Sequence, residues 1–107
     1  MKLSEFIHLR SIFLDVDVDS KKNLFKEVGK SFEKIEKINS ADIVEKLNNR
    51  ERLGSTGVGN GAAIPHAKIN DLKKTEVFFY KLKKPIEFSS PDKLPVDLIF
   101  VIVTPET

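Results

Sequence analysis

The ten residues VDLIFVIVTP, Val96–Pro105, form an apolar run with almost no interruption. Their β-branched character and length predict a strand. A strand with one wet face alternates apolar and polar residues. This one does not, so both of its faces are expected to be covered. In an α/β fold that cover is helical. Only two stretches of the chain have helical periodicity, and both precede the run. The expectation is therefore that cover is missing. It would come from a helical C-terminal part beyond these 107 residues or from a partner.

The rest of the chain reads as one domain, residues 1–107. SIFLDVDV, Ser11–Val18, is short and β-branched and predicts a first strand. Leu24, Phe25, Val28, Phe32 and Ile35 recur at helical spacing, with Asp19 or Ser20 as N-cap. Gly29 lies inside this helix, where glycine is unfavourable, and suggests close packing. Ile43, Val44 and Leu47 mark a second helix, with Ser40 as its candidate cap. Arg50 and Arg52 lie in its last turn, and Gly54 stands at the C′ position. Thr75–Leu82 is a second clear strand. A Pro/Ser-rich loop containing the short IEF segment joins it to the apolar run.

Charge narrows the classes of function. Eighteen basic and sixteen acidic residues are interspersed, for a net charge of +2. That balance does not point to nucleic acid. The chain has no cysteine, which excludes disulfides and thiol catalysis. No segment approaches a membrane span in length, so no membrane insertion is expected. Residues 1–18 carry acids and no small-residue cleavage site, and the default expectation is a cytoplasmic protein.

Chemistry concentrates in GSTGVGNGAAIPHAK, Gly54–Lys68, which holds four of the five glycines. The stretch is not a Walker A loop, because Asn60 and Gly61 follow Gly59 where Lys and Ser/Thr are needed. Gly57, Gly59 and Gly61 give G-x-G-x-G after a helix, whereas a dinucleotide fingerprint follows a strand. Two readings stay open. The loop is a turn-rich connector, whose Gly and Asn tolerate positive φ. Alternatively its backbone N–H groups serve an anion. In that reading Ser55, Thr56, Gly57, Gly59, Asn60 and Gly61 supply donors, and Arg50 adds a guanidinium. His66, placed by Pro65, would then be a nucleophile beside anion donors, as a phosphohistidine carrier requires. Neither a metal nor another cofactor is expected. The one other histidine, His8, is far off in sequence and reads as a surface residue.

The segment NNRERLGSTGVGNGAAIPHAK closely resembles the active-site stretch of the type-2 (fructose/mannitol) enzyme IIA domains of the bacterial phosphotransferase system. GSTGVGNG looks most like the nitrogen-regulatory branch, and LPVDLIFVIVTPE and DVDSKKNLFKEVGK also fit. The resemblance implies an α/β fold, a mixed β-sheet between helical layers that begins β-α-α-β-β-β. It implies that His66 takes a phosphoryl group from a phosphohistidine on an HPr-like carrier, with Arg50 and Ser55 near that group. Sugar-transport members pass it on to an enzyme IIB; nitrogen-branch members regulate target proteins in nitrogen, carbon or potassium metabolism. The family also carries a second histidine, in a helical region after the strand matching Val96–Pro105. The domain is therefore expected to be truncated at its C-terminus. A non-catalytic interaction domain that has lost phosphorylation remains an alternative.

Overall fold

The computed structural model describes residues 8–70 and 72–106. A 3-10 turn, Leu9–Ser11, leads into β1 (Ile12–Val16), α1 (Lys21–Glu36) and α2 (Ser40–Arg52). Three short strands follow: β2 (Gly57–Gly59), β3 (Ala62–Ala63) and β4 (His66–Ile69). Two long ones complete the described chain, β5 (Glu76–Ile86) and β6 (Val96–Pro105). All six strands form one mixed sheet in the order β1-β5-β6-β3-β2, with β4 also pairing β6. The sheet expected from the resemblance is therefore present, and three short strands occupy the stretch read as loop.

Local signals explain most of the boundaries. The Ser20 side chain accepts the Asn23 N–H at 3.1 Å and starts α1. The cap of α2 is Asn39, not Ser40. The Asn39 Oδ1 accepts the N–H groups of Ala41 and Asp42 at 2.8 and 3.3 Å, and Ser40 is already helical. Asn39 fits because its carbonyl oxygen reaches two orphan donors at once. Ser40 instead donates its backbone N–H to Glu33 on α1, at 3.0 Å. Gly54 does follow the end of α2, with its N–H on the Glu51 carbonyl at 3.2 Å.

The core lies between the helix pair and one face of the sheet. Phe32 of α1 stacks on Phe78 of β5 at 3.9 Å, and Phe13 stacks on Tyr80 at 4.8 Å. Leu24, Phe25, Val28, Ile43 and Leu47 join Ile99, Val101 and Val103 in one buried cluster. The register pairs Phe78 with Val101 and Tyr80 with Ile99, so these residues share the covered face.

The opposite face departs from expectation. There Phe79 pairs with Phe100 and Val77 with Ile102. Val77 is buried, but Leu98, Phe100 and Ile102 are only half-buried. β6 is thus apolar on both faces and fully covered on one, because α1 and α2 pack on the same side.

Pro65 separates β3 from β4, and both of these short strands run parallel to β6. A proline cannot donate to a ladder, and the break falls where that donor is missing. Its carbonyl still accepts the Ile102 N–H at 2.9 Å. His66 therefore enters on an anchored strand, directly beside Ile102.

Candidate active site

Three elements converge on His66. β4 carries it, α2 brings Arg50 across from its last turn, and the glycine loop joins the two. The imidazole is exposed and bonded at both nitrogens. Nδ1 lies 2.9 Å from the Ile64 carbonyl oxygen, and Nε2 lies 3.2 Å from Arg50 Nε. Each neighbour has one polarity. A carbonyl oxygen only accepts, so Nδ1 carries the hydrogen. A guanidinium only donates, so Nε2 presents its lone pair. The geometry selects one tautomer, with Nε2 as the free nucleophilic nitrogen.

Arg50 is itself oriented. Its Nη1 donates to the Gly54 carbonyl at 2.9 Å, which leaves Nε for the histidine. Together these residues border an open cleft of about 650 Å³ that Lys46, Lys68, Ile102 and Thr104 also line. The cleft offers a nucleophilic nitrogen beside a permanent cation and two lysines. Such a site suits an anionic electrophile.

The glycine loop is organised differently from an open nest of donors. Thr56 is buried, and its N–H and hydroxyl both donate to the Glu51 carboxylate, at 2.9 and 2.7 Å. The Gly57 N–H donates to Ser55 Oγ at 3.0 Å, and the Ser55 hydroxyl donates to the Phe88 carbonyl. The Asn60 N–H donates to Asp92 Oδ2 at 2.8 Å. That bond and a second from the Leu94 N–H hold the Asp92 carboxyl below its usual range. Gly59, Asn60 and Gly61 all have positive φ, at 94, 55 and 81°, and make the tight turn from β2 to β3. The connector reading describes this arrangement. The loop is a turn-rich connector, and several of its expected anion donors already have internal partners.

Among the candidate residues, the structure brings Arg50 and His66 into direct contact. Ser55, Thr56, Gly57, Gly59, Asn60 and Gly61 form the loop between them. Arg52 points elsewhere and donates to Asn49 at 2.6 Å. His8 is exposed at the start of the 3-10 turn. Among the described residues, no group of three or more His, Asp or Glu could hold a metal ion, and no helix is long and apolar enough to cross a membrane. Sequence reasoning missed Glu51, Asp92 and Lys21. One signal for Glu51 was present: an acid in the last turn of a helix opposes the helix dipole and needs a compensating partner.

The family described as "Phosphoenolpyruvate-dependent sugar phosphotransferase system, EIIA 2" matches residues 5–107. A nitrogen regulatory protein of Bradyrhizobium diazoefficiens is 37% identical over 106 residues, which span 99% of this chain and 69% of that protein. The fructose-specific EIIABC component of Bacillus subtilis is 33% identical over 107 residues, 99% of this chain and 17% of that protein. The crystal structure of the nitrogen regulatory protein IIA-Ntr from Neisseria meningitidis superposes with a TM-score of 0.91 at 42% identity. It covers 98% of this chain and 72% of the other. By sequence and by fold, the chain belongs to the EIIA type-2 family of the phosphoenolpyruvate-dependent sugar phosphotransferase system.

Proposed function

We propose that the protein is a regulatory phosphocarrier in which His66 Nε2 accepts a phosphoryl group from a phosphohistidine on an HPr-like carrier. The observation that carries this reading is the pair of single-polarity contacts on the imidazole. The Ile64 carbonyl fixes the proton on Nδ1, and Arg50 faces the lone pair of Nε2. In the transfer, the Nε2–P bond forms as the donor's N–P bond breaks. The electron pair of that bond stays on the donor imidazole. Little else is needed from the protein beyond alignment and charge stabilisation. Arg50 would exchange its contact with Nε2 for the phosphoryl oxygens, and Ser55 would join it by giving up its bond to the Phe88 carbonyl. The likeness to nitrogen regulatory proteins supports a regulatory role in nitrogen metabolism, and carbon or potassium metabolism are further candidate targets of the signal.

The same reading takes residues 1–107 as the greater part of one EIIA domain. In that reading the half-buried side chains of Leu98, Phe100 and Ile102 form the face of β6 on which a further element would pack. The shares of the relatives that this chain spans support that view.

Incubation with a radiolabelled phospho-HPr-type donor tests the reading. Wild-type protein takes up label, and His66→Ala takes up none. Arg50→Ala slows uptake while retaining the fold. Uptake by the alanine variant at His66 sinks the proposal, and a wild-type protein that never labels supports a non-catalytic interaction domain. The relative from Bacillus subtilis favours one alternative, a sugar-specific EIIA. Label that passes on to the cysteine of an enzyme IIB identifies that case.

A further inference from the structure

Glu51 sits next to Arg50 in the last turn of α2, where a negative charge is unfavourable. Its side chain is nevertheless only 8% exposed. A buried carboxylate persists where its partners compensate for lost water. Glu51 has three such contacts. Its Oε2 accepts from Lys21 Nζ at 2.8 Å and from the Thr56 N–H at 2.9 Å, and its Oε1 accepts from the Thr56 hydroxyl at 2.7 Å. Lys21, at the start of α1, is itself fixed. It donates to the Phe88 carbonyl at 3.2 Å and lies 4.3 Å from the centre of the Phe88 ring. That same carbonyl accepts the Ser55 hydroxyl.

These bonds close the turn from residue 51 to residue 56 and thereby place Gly54. The Gly54 carbonyl holds Arg50 Nη1, and Arg50 Nε meets His66 Nε2. A continuous chain of contacts thus runs from the ion pair to the imidazole, and neither Glu51 nor Lys21 bonds to His66 directly.

We propose that Glu51, held by Lys21, is a positioning residue that aims the Arg50 guanidinium at His66 by locking the 51–56 turn. The proposal rests on the phosphocarrier reading for its effect on rate, but not for its effect on the histidine ring. Glutamine at 51 has one acceptor oxygen and cannot serve all three donors. A small misplacement of a positioned group slows transfer by about tenfold to a hundredfold.

Two measurements on the same variants test it. In the first, phosphoryl transfer from the phosphorylated donor is timed for wild type, Glu51→Gln, Arg50→Ala and the double variant. Glu51→Gln is expected to slow transfer at least about tenfold alone, and by less than about twofold in the Arg50→Ala background, because both changes remove one function. In the second, nitrogen-15 NMR of the His66 ring reads the tautomer without any donor. Wild type shows hydrogen on Nδ1, and Glu51→Gln shows a share moved to Nε2. If Glu51→Gln does not fold, Thr56→Val, which removes one donor to the carboxylate, takes its place. Equal slowing in both backgrounds, or an unchanged tautomer, overturns the proposal. If His66→Ala still takes up label, the phosphocarrier reading falls and the ring tautomer alone decides the role of Glu51.

Discussion

Replacing Gly29 by alanine sets two effects of similar size against each other. Within a helix, alanine is favoured over glycine by about 1 kcal/mol, so propensity alone predicts a more stable protein. The packing predicts the reverse. A Cβ built on Gly29 lies 2.9 Å from the Ser40 carbonyl oxygen, 3.0 Å from Val44 Cγ2 and 3.2 Å from Ser40 Cβ. Carbon contacts are comfortable at roughly 3.5–4.0 Å, so all three are too close. The Val44 methyl can turn away, but the Ser40 carbonyl belongs to the backbone of α2 and moves only with the helix. Overpacking of this kind destabilises by about 1–3 kcal/mol. The difference leaves a net loss of about 1 kcal/mol, which lowers Tm by roughly 4–8 °C in a domain of this size. Far-ultraviolet circular dichroism during heating measures the shift. Adding Val44→Ala to the variant relieves the side-chain clash and not the backbone one, so its added loss should be smaller than Val44→Ala causes in wild type. A Tm for Gly29→Ala equal to or above wild type would refute the reasoning.

Three more predictions follow from the core and the loop. The Tyr80 hydroxyl is buried without a well-formed hydrogen bond among the described residues; burial pushes its ionisation up, and the nearby Ser31 hydroxyl opposes that only in part. Tyr80→Phe is therefore expected to change stability by less than about 1 kcal/mol, in the stabilising direction, by denaturant titration; a loss above about 1.5 kcal/mol would mean the hydroxyl has a partner. Phe32, fully buried and stacked on Phe78, should cost about 3–5 kcal/mol as alanine, a large part of the stability of a small domain. An unfolding midpoint near that of wild type would contradict the core described above. Asp92 titrates low because the Asn60 N–H, and then the Leu94 N–H, favour its charged form. A lowered folded pKa adds stability above the ordinary value of 3.8, and that stability is lost as pH falls through the folded value. The Tm difference between wild type and Asp92→Asn should thus shrink as pH drops below the ordinary carboxylate range, and a constant difference would rule the linkage out.

The helices and long strands were legible because each is written in local pattern. The α1 stripe of Leu24, Phe25, Val28 and Phe32 is buried as its spacing requires. Ser40 was the expected cap of α2 and Asn39 is the observed one; both residue types cap well, and only the entry angle of the chain decides which of two neighbours takes the position. The short strands β2, β3 and β4 were not legible. Two to four residues carry too little periodicity, and those strands exist because β6 supplies their partners.

The candidate site divides along the same line. His66, Arg50 and the glycine loop stood out by residue type and spacing, since an imidazole, a guanidinium and flexible backbone together are the parts of a candidate anion site. The sequence by itself determined that set and the α/β class. Only the tertiary structure decided that Arg50 faces Nε2, that Ile64 holds the proton on Nδ1, and that Glu51 and Asp92 occupy the loop's donors. Those facts depend on distances between α1, α2, the loop before β6 and β4. Such distances are fixed when the apolar faces pack, and no window of sequence contains them.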